Sequence, residues 1–429
     1  MLSKYKGKLI LENGIIYDPY KNKKINGSIL ISDGLIIEIG NIKNDKKYEK
    51  IDCNGKLITA SFIDLHAHFR EPGREDKETL LTGSMAAIRG GFTRVCVMPN
   101  TEPPLDSPEA IRFIKDKAVG LPVEIFPIGA ITKGQKGIEI TEIGSMVEAG
   151  AIAISDDGLP VQNGQVMRYA IEYAKMFDIP VINHAEDICL RNEGVINEGA
   201  LSTKLGLNGN PDISESTMVY RDLEIADYTN GRIHVPHVST SRSVHLIREY
   251  KRRGVSVTAE VTPHHLCLTQ EQLINYDTNA KVAPPLRTDD DRCSLMEGLR
   301  DGTIDCIATD HAPHSIEGKE KDFINAPCGM IGLESAFGLV HTRLNKKGFN
   351  TEEIIQYFTK GPSKVMGWVI NPFKLGAVAE LNIIDPKEEW KFLESQISSK
   401  SYNSPILGME FKGRVTHTIS NKFINRNVD

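Results

Sequence analysis

Through the first sixty residues, apolar and polar positions alternate in short runs. LILENGIIYD and SILISDGLIIEIG carry Asn13-Gly14 and Asp33-Gly34, each a two-residue turn signal between alternating runs, so this segment predicts β-hairpins. From about residue 58 the rhythm changes. Strand-like runs (LITASFIDLHAHF, TRVCVMPN, VEIFPIGAIT, AIAISDD, IPVINHAE, RIHVPHVS, VSVTAEVT and TIDCIATDH) now alternate with helical patterns such as KETLLTGSMAAIRGG, EIGSMVEAG, QVMRYAIEYAKMFD and RSVHLIREYKRRG. Several of the latter stop on glycine, the residue best suited to the left-handed position after a last helical turn. Eight strand-helix alternations predict an α/β fold of the closed (β/α)8 TIM-barrel kind rather than an open doubly wound sheet. Strand-like runs return after about residue 367, in GAVAELNIID and GRVTHTIS. Residues 1–57 and 367–429 are therefore expected to join in one small β-sandwich domain beside a barrel spanning 58–366. Residues 187–214 and 312–330 are too long for ordinary connections and are expected to be lids or solvated surface loops.

Composition narrows the class. With 40% hydrophobic and 25% charged residues the chain matches a globular protein, and a net charge of −6 gives no sign of nucleic-acid binding. MLSKYKGKLILENG lacks the apolar stretch of a signal peptide, and no later segment approaches the ~18 apolar residues of a membrane helix. A cytoplasmic location, away from membranes, is the expectation. Seven scattered cysteines without a C-x-x-C pair argue against a disulfide framework and against a thiolate zinc site. A metal here would take nitrogen and oxygen ligands.

The chemistry concentrates in Asp64-Leu65-His66-Ala67-His68-Phe69-Arg70, where polar and apolar residues alternate strictly. On a strand, Asp64, His66, His68 and Arg70 would share one face. Burying such groups unsatisfied costs about 1–3 kcal/mol each, so a bound metal explains the pattern better than histidines buried in a core. Further candidates end the fourth, fifth, sixth and eighth strands, where barrel enzymes place their chemistry: Asp156 and Asp157, His184, His237, then Asp310, His311 and His314. Singly each is weak, because Asp-Asp-Gly is a common turn and a lone histidine is usually structural. Their shared position at strand ends is what points to a site. Imidazole and carboxylate ligands suit zinc, with manganese or cobalt also compatible, and six of them suggest two ions sharing a carboxylate. Such ions acidify water and polarise a carbonyl.

With DLHAHFREPG, MPNTEPP, SDDGLPVQN, KVAPPLR and IATDHAPH in this order between roughly residues 50 and 385, the chain resembles the dihydroorotases of the amidohydrolase superfamily, in their longer bacterial type. The resemblance implies a zinc-dependent cyclic amide hydrolase that interconverts L-dihydroorotate and N-carbamoyl-L-aspartate in pyrimidine (UMP) biosynthesis. It implies that His66 and His68 hold a first zinc with Asp310, that His184 and His237 hold a second, and that Asp157 bridges them. Two ions per subunit are expected, a single ion being the alternative, and Asp157 is preferred to Asp156 on the alignment of SDDG alone. Asp310 would carry the proton from attacking water to the leaving nitrogen, and His68, Arg70, Asn100, His314, Cys328 and Gly329 would contact substrate. Many relatives bridge their metals with a carbamylated lysine, and GAIAISDDG contains none, which separates the chain from dihydropyrimidinases and allantoinase-like members. Ala283 departs from the asparagine that often precedes PPLR in the family, and Cys328 stands where relatives vary. A homodimer is expected, as is the option of association with aspartate transcarbamoylase. Two rival readings are an allantoinase- or hydantoinase-like enzyme, whose neutral ring would not need Arg70, and an inactive scaffold, which would not need to keep six ligands.

Among the remaining polar residues, Asp64 is expected to orient a metal-bound histidine and His311 to support Asp310 from behind. His264 and His265, which follow the seventh strand, are candidates for the neighbourhood of the site. His234, His245, His341 and His417 fall outside the motifs and are expected to be ordinary surface or core residues.

Overall fold

The computed structural model describes residues 1–5, 7–42 and 48–427. Eight short parallel strands form a ring: β1 (Phe62–Ala67), β2 (Phe92–Val97), β3 (Glu124–Pro127, continued by Gly129–Ala130), β4 (Ile154–Ser155), β5 (Val181–Ile182), β6 (Ile233–Val235), β7 (Val257–Val261) and β8 (Cys306–Ile307). Each pairs in parallel with the next. The ring closes where Ala67 bridges His311 and the His68 amide donates to the His311 carbonyl at 2.8 Å. This is the (β/α)8 barrel. Its interior is packed: Ile63, Leu65, Cys96, Ile128, Ala153, Ile182 and Ala308 form one buried apolar cluster drawn from strands around the ring.

Helices follow the strands because glycine and hydroxyl residues punctuate the chain where the pattern requires. Leu80–Gly90 starts at a Thr79 cap and ends at Gly91, whose φ of 98° is the left-handed geometry that stops a helix. Ile143–Ala149 ends the same way at Gly150, with φ 114°. No helix among the described residues is long and apolar enough to cross a membrane.

Both chain ends enter one nine-stranded sheet. Its order is Leu2–Lys4, Phe423–Arg426, Glu410–Ser420, Glu380–Lys391, Leu57–Ala60, Lys8–Asp18, Lys23–Ser32 and Leu35–Gly40, with Glu49–Asp52 lying beside Lys8–Asp18. The sheet buries its own apolar cluster, including Leu9, Ile29, Ile58, Leu381 and Ile419. Asp33-Gly34 makes the expected tight turn, with φ of 52° and 84°. Asn13-Gly14 does not. It lies inside Lys8–Asp18 at a shift in register, where the chain bulges and continues. The reason is packing: a Cβ on Gly14 would stand 2.4 Å from Ile58 Cδ1, so the glycine serves the approach of the next strand.

The two long excursions are built walls. Arg287, 3% exposed, fastens the first by donating to Asn197 Oδ1 at 3.0 Å and to the Asn210 carbonyl at 2.7 Å. Lys281, also 3% exposed, fastens the second by donating to the carbonyls of Phe323, Ile324 and Ala326 at 2.7, 2.9 and 2.8 Å. Burying an ammonium is tolerated when its donors are satisfied as those of Lys281 are; Arg287 keeps Nη2 without a hydrogen-bond partner. Both walls stand over the C-terminal ends of the strands.

Candidate metal centre

His66 is the last residue but one of β1 and His68 follows the strand; Asp157, His184, His237 and Asp310 come just after β4, β5, β6 and β8. The barrel thus brings all six together at one end, every one of them buried. Asp157 sits between two pairs of imidazoles. Its Oδ1 lies 3.4 Å from His66 Nε2, 3.4 Å from His237 Nε2 and 3.7 Å from His184 Nδ1, and its Oδ2 lies 3.5 Å from His68 Nε2. Asp310 Oδ1 lies 3.0 Å from His68 Nε2 and 3.6 Å from His66 Nε2. Two overlapping triads, His66–His68–Asp157 and Asp157–His184–His237, each have ligand atoms within 4.8 Å of one another.

The hydrogen-bond partners of the imidazoles indicate which ring nitrogens are free to act as ligands. His66 Nδ1 is 2.8 Å from the Glu260 carboxylate and His68 Nδ1 is 2.8 Å from Asn100 Oδ1, so both rings donate from Nδ1. Their neutral forms then aim Nε2 lone pairs at carboxylate oxygens. A cation between them removes that repulsion. Consistently, His66 Nε2 and Asp157 Oδ1 are buried without a hydrogen-bond partner, and His184 Nδ1 faces His237 Nε2 at 2.9 Å. These donors fit one or two divalent ions of the nitrogen- and oxygen-preferring kind.

The carboxylates can draw positive charge from a proton on an imidazole as well as from an ion. Burial opposes ionisation of Asp157, but the His66 charge and the neighbouring His184 and His237 imidazoles hold it well below the usual carboxylate range. Asp310 is held down in the same sense, against burial, by His66 and His68. Burial opposes charge on His66 as well, yet the Asp157 and Asp310 carboxylates carry it well above its ordinary value. Two carboxylates kept anionic in a buried pocket are a strong attractor for positive charge.

Backbone strain marks the same place. Arg70, His237 and Asp310 have φ of 57°, 33° and 48°, a left-handed conformation that costs a residue with a side chain on the order of 1–2 kcal/mol. Held by the strand ends around them, these turns direct the side chains into a cleft of about 250 Å³.

That cleft is lined by His68, Asp157, His184, His237 and Asp310 and also by Arg70, Asn100, His314, Cys328 and Gly329. Arg70 donates from Nε to the Pro313 carbonyl at 3.3 Å. Burial lowers its pKa to about 10, so it stays cationic at neutral pH. His314 is neutral there: burial, then Arg70, pushes it down to about 2, and Nε2 donates to the Cys328 carbonyl at 2.7 Å. Gly329, with φ 132°, permits that wall, since a Cβ would stand 2.7 Å from Ala312 Cβ and 3.0 Å from His314 Nε2. Ala283 lines the cleft without contributing a polar side chain.

Several expectations about supporting residues are corrected. Asp64 contacts no imidazole ring; its carboxylate reaches across the barrel seam, accepting from the Thr309 amide at 2.8 Å and the Thr309 hydroxyl at 2.5 Å, and its hold on His66 is through the backbone amide at 3.4 Å. Replacing Asp64 by alanine should therefore cost about 2–6 kcal/mol of folding stability, since the two close Thr309 donors lose their acceptor at about 1–3 kcal/mol each. Chemical denaturation of the metal-free protein measures this; a cost under about 0.5 kcal/mol, the scale of an ordinary surface change, would show that the seam does not depend on the carboxylate. His311 faces Glu78, 3.3 Å away, and accepts from the Gly332 amide at 3.2 Å. It supports the wall behind Asp310, with no contact to that carboxylate among the described hydrogen bonds. His265 is spent on Thr262 Oγ1 at 2.8 Å and the Pro284 carbonyl at 2.9 Å, whereas His264 Nε2 is buried and unpartnered.

Asp156 turns away from the cluster. Its Oδ1 accepts from the Ile131 amide at 2.8 Å and the Thr132 amide at 3.2 Å, and Oδ2 accepts from the Thr132 hydroxyl. The sequence reading also missed two carboxylates. Glu260, on β7, holds His66; Glu186 lies 3.6 Å from His184 Nε2 and pairs with Arg191 at 3.3 Å. Burial works against both, but hydrogen bonds hold each at about 2, from His234 and His66 for Glu260 and from His184 for Glu186. A lone acidic residue in a strand as apolar as VTAEV was the available signal, because such a group must be paired.

Comparison with known proteins agrees with this architecture. The family model described as "Dihydro-orotase-like" matches residues 55–243. The chain is 47% identical over 413 residues to a dihydroorotase of Pelotomaculum thermopropionicum, covering 96% of this chain and 97% of that one. It is 44% identical over 415 residues to a dihydroorotase of Caldanaerobacter subterraneus subsp. tengcongensis, covering 96% of each. Among solved structures, the L-hydantoinase (dihydropyrimidinase) of Arthrobacter aurescens superposes with a TM-score of 0.86 at 24% identity, over 98% of this chain and 97% of that one. The dihydropyrimidinase of Brevibacillus agri gives 0.83 at 20% identity, over 98% and 95%. At such identities the structural likeness establishes a shared barrel with an added β-sheet domain, and it is the near full-length sequence match that places this chain in the dihydroorotase family.

Proposed function

We propose that the chain is a dihydroorotase, interconverting L-dihydroorotate and N-carbamoyl-L-aspartate. The observation that carries this reading is a cationic Arg70 lining the same cleft as a cluster of imidazoles and carboxylates suited to divalent metal. Both compounds bear a carboxylate that the reaction leaves unchanged. A guanidinium in a cleft of low dielectric binds such a group in a charge-assisted fork.

His66, His68 and Asp310 would hold one zinc ion, His184 and His237 a second, and Asp157 both. When bound, zinc supplies Lewis acidity, polarising the ring carbonyl and lowering the pKa of water. Arg70 holds the substrate carboxylate, with Asn100 on the same wall. Asp310 turns Oδ1 toward His66 and His68, and we assign the proton to its other oxygen. In hydrolysis the water oxygen bonds to the carbonyl carbon, Asp310 takes the water proton, the ring C–N bond breaks, and Asp310 returns the proton to the departing nitrogen. Cyclisation runs these steps in reverse. His314 is neutral, so the positive charge it stands beside is that of Arg70, which suits a carboxylate. Division at residues 57/58 and 366/367, a homodimer, docking to aspartate transcarbamoylase and a cytoplasmic location all belong to the same proposal.

Incubation with dihydroorotate, allantoin, hydantoin and dihydrouracil, with bound metal counted in parallel, tests the reading. Turnover of dihydroorotate alone is expected; turnover of a neutral ring in its place would assign the chain to the hydantoinase-like class. Arg70→Ala should raise KM for dihydroorotate about 10- to 100-fold, the equivalent of roughly 1.5–3 kcal/mol for hydrogen bonds to a charged group, with zinc content unchanged. An unaltered KM would mean that the carboxylate is held elsewhere.

A further inference from the structure

Behind the metal cluster, inside the barrel wall, four polar groups run in a line through otherwise apolar packing. Glu260, 1% exposed, uses both carboxylate oxygens: Oε1 lies 2.8 Å from His66 Nδ1 and Oε2 lies 3.0 Å from His234 Nε2. His234, fully buried, places its other nitrogen 2.8 Å from Thr258 Oγ1. A carboxylate only accepts, so both imidazoles must donate to it. His234 Nδ1 is then left as an acceptor, and the Thr258 hydroxyl must donate. One set of proton positions satisfies the whole line.

Its end point is His66 Nε2, stripped of its proton and aimed between Asp157 and Asp310. Without Glu260 the ring could flip or exchange tautomers and present a proton where a ligand lone pair is needed. The anion also makes the imidazole a better donor to a cation. Cys306 lies close enough to His234 and Glu260 to suggest a third ion-binding triad. An ion there would have to displace the hydrogen bond between His234 Nε2 and Glu260, so the geometry favours support of the first site over a separate one.

We infer that Glu260 is a positioning residue of the metal centre, fixing the tautomer and aim of His66, and that His234 acts through Glu260. This rests on the reading that His66 holds an ion. The test uses the full chain with Glu260→Gln, with His234→Gln and with both changes, each stripped of metal, reloaded with zinc and titrated with a competing chelator. Glu260→Gln should weaken one zinc ion about 10- to 100-fold, the usual effect of losing an outer partner of a ligand, while the metal-free melting temperature stays close to the parent's. His234→Gln should weaken it less. The double variant should be no weaker than Glu260→Gln, because two residues acting in series are not additive. With cobalt in place of zinc, the visible spectrum should change in Glu260→Gln, a readout that a purely structural role would leave alone.

Parent-like zinc affinity in Glu260→Gln, or additive losses in the double variant, would overturn the inference. If Glu260→Gln does not fold, His234→Gln decides: parent-like affinity there overturns it and a clear drop supports it. A parent that binds no divalent ion would remove the metal reading together with this one. A parent that binds zinc, beside a Glu260→Gln that binds it equally well, would remove this one alone.

Discussion

Asp310→Asn should lower kcat for dihydroorotate by about a thousandfold, while the protein still folds and still holds zinc. The size follows from the role: a positioned general acid-base group contributes roughly 10²- to 10⁴-fold, and an amide cannot take up and return the proton. Asparagine keeps the shape and an oxygen toward His68, now 3.0 Å from Oδ1, so local packing should survive. His66 and His68 hold this carboxylate ionised, so it starts in the form a general base needs, while the same two residues oppose its protonation. Steady-state kinetics and metal analysis on the same preparation make the check. A variant with full zinc and a rate within tenfold of the parent would show that the proton travels through another group.

The sequence made the barrel and the metal cluster readable for the same reason. Eight apolar runs of strand length each stop at a polar residue, and in a parallel barrel all those stops fall at one end. His184 and His237 are unremarkable in isolation; it is the closure of β1 against β8 that turns scattered strand tips into a ring. Residues whose meaning depends on a partner far away in the chain stayed hidden. Asp64 binds Thr309, 245 positions on, and Glu260 binds His66, 194 positions back. Alternation along DLHAHFR says that these side chains are polar and buried, but not which acceptor each imidazole meets. His234 was read as an ordinary histidine because its strand carries no motif, although it pairs with the one acidic residue of β7. Asn13-Gly14 misled in the opposite way. A strong turn signal was overridden by close packing against Ile58, a contact that local sequence cannot express.

Adjacent Asp156 and Asp157 should behave as opposites when each is replaced by alanine. Asp157→Ala removes the anion lying within 3.4–3.7 Å of four imidazoles. Breaking a buried charge pair of this kind costs on the order of 3–5 kcal/mol, which at 1.4 kcal/mol per tenfold weakens zinc binding by a hundredfold to several thousandfold. Both ions of a bridged pair should be affected, and turnover should fall to background. Folding should suffer less, because the imidazoles can discharge once the carboxylate is gone. Asp156→Ala should do the reverse. Its carboxylate, raised to about 6 by burial against its hydrogen bonds to Thr132 and Ile131, holds the backbone after β3 in place. Two stranded amides should cost about 2–6 kcal/mol of stability, at about 1–3 kcal/mol each, while zinc affinity in the folded fraction stays near the parent's. Chelator competition and thermal melting on the two variants separate the outcomes. The same zinc affinity in both would mean that Asp157 is not the shared ligand, and a loss confined to Asp156→Ala would transfer that role to its neighbour.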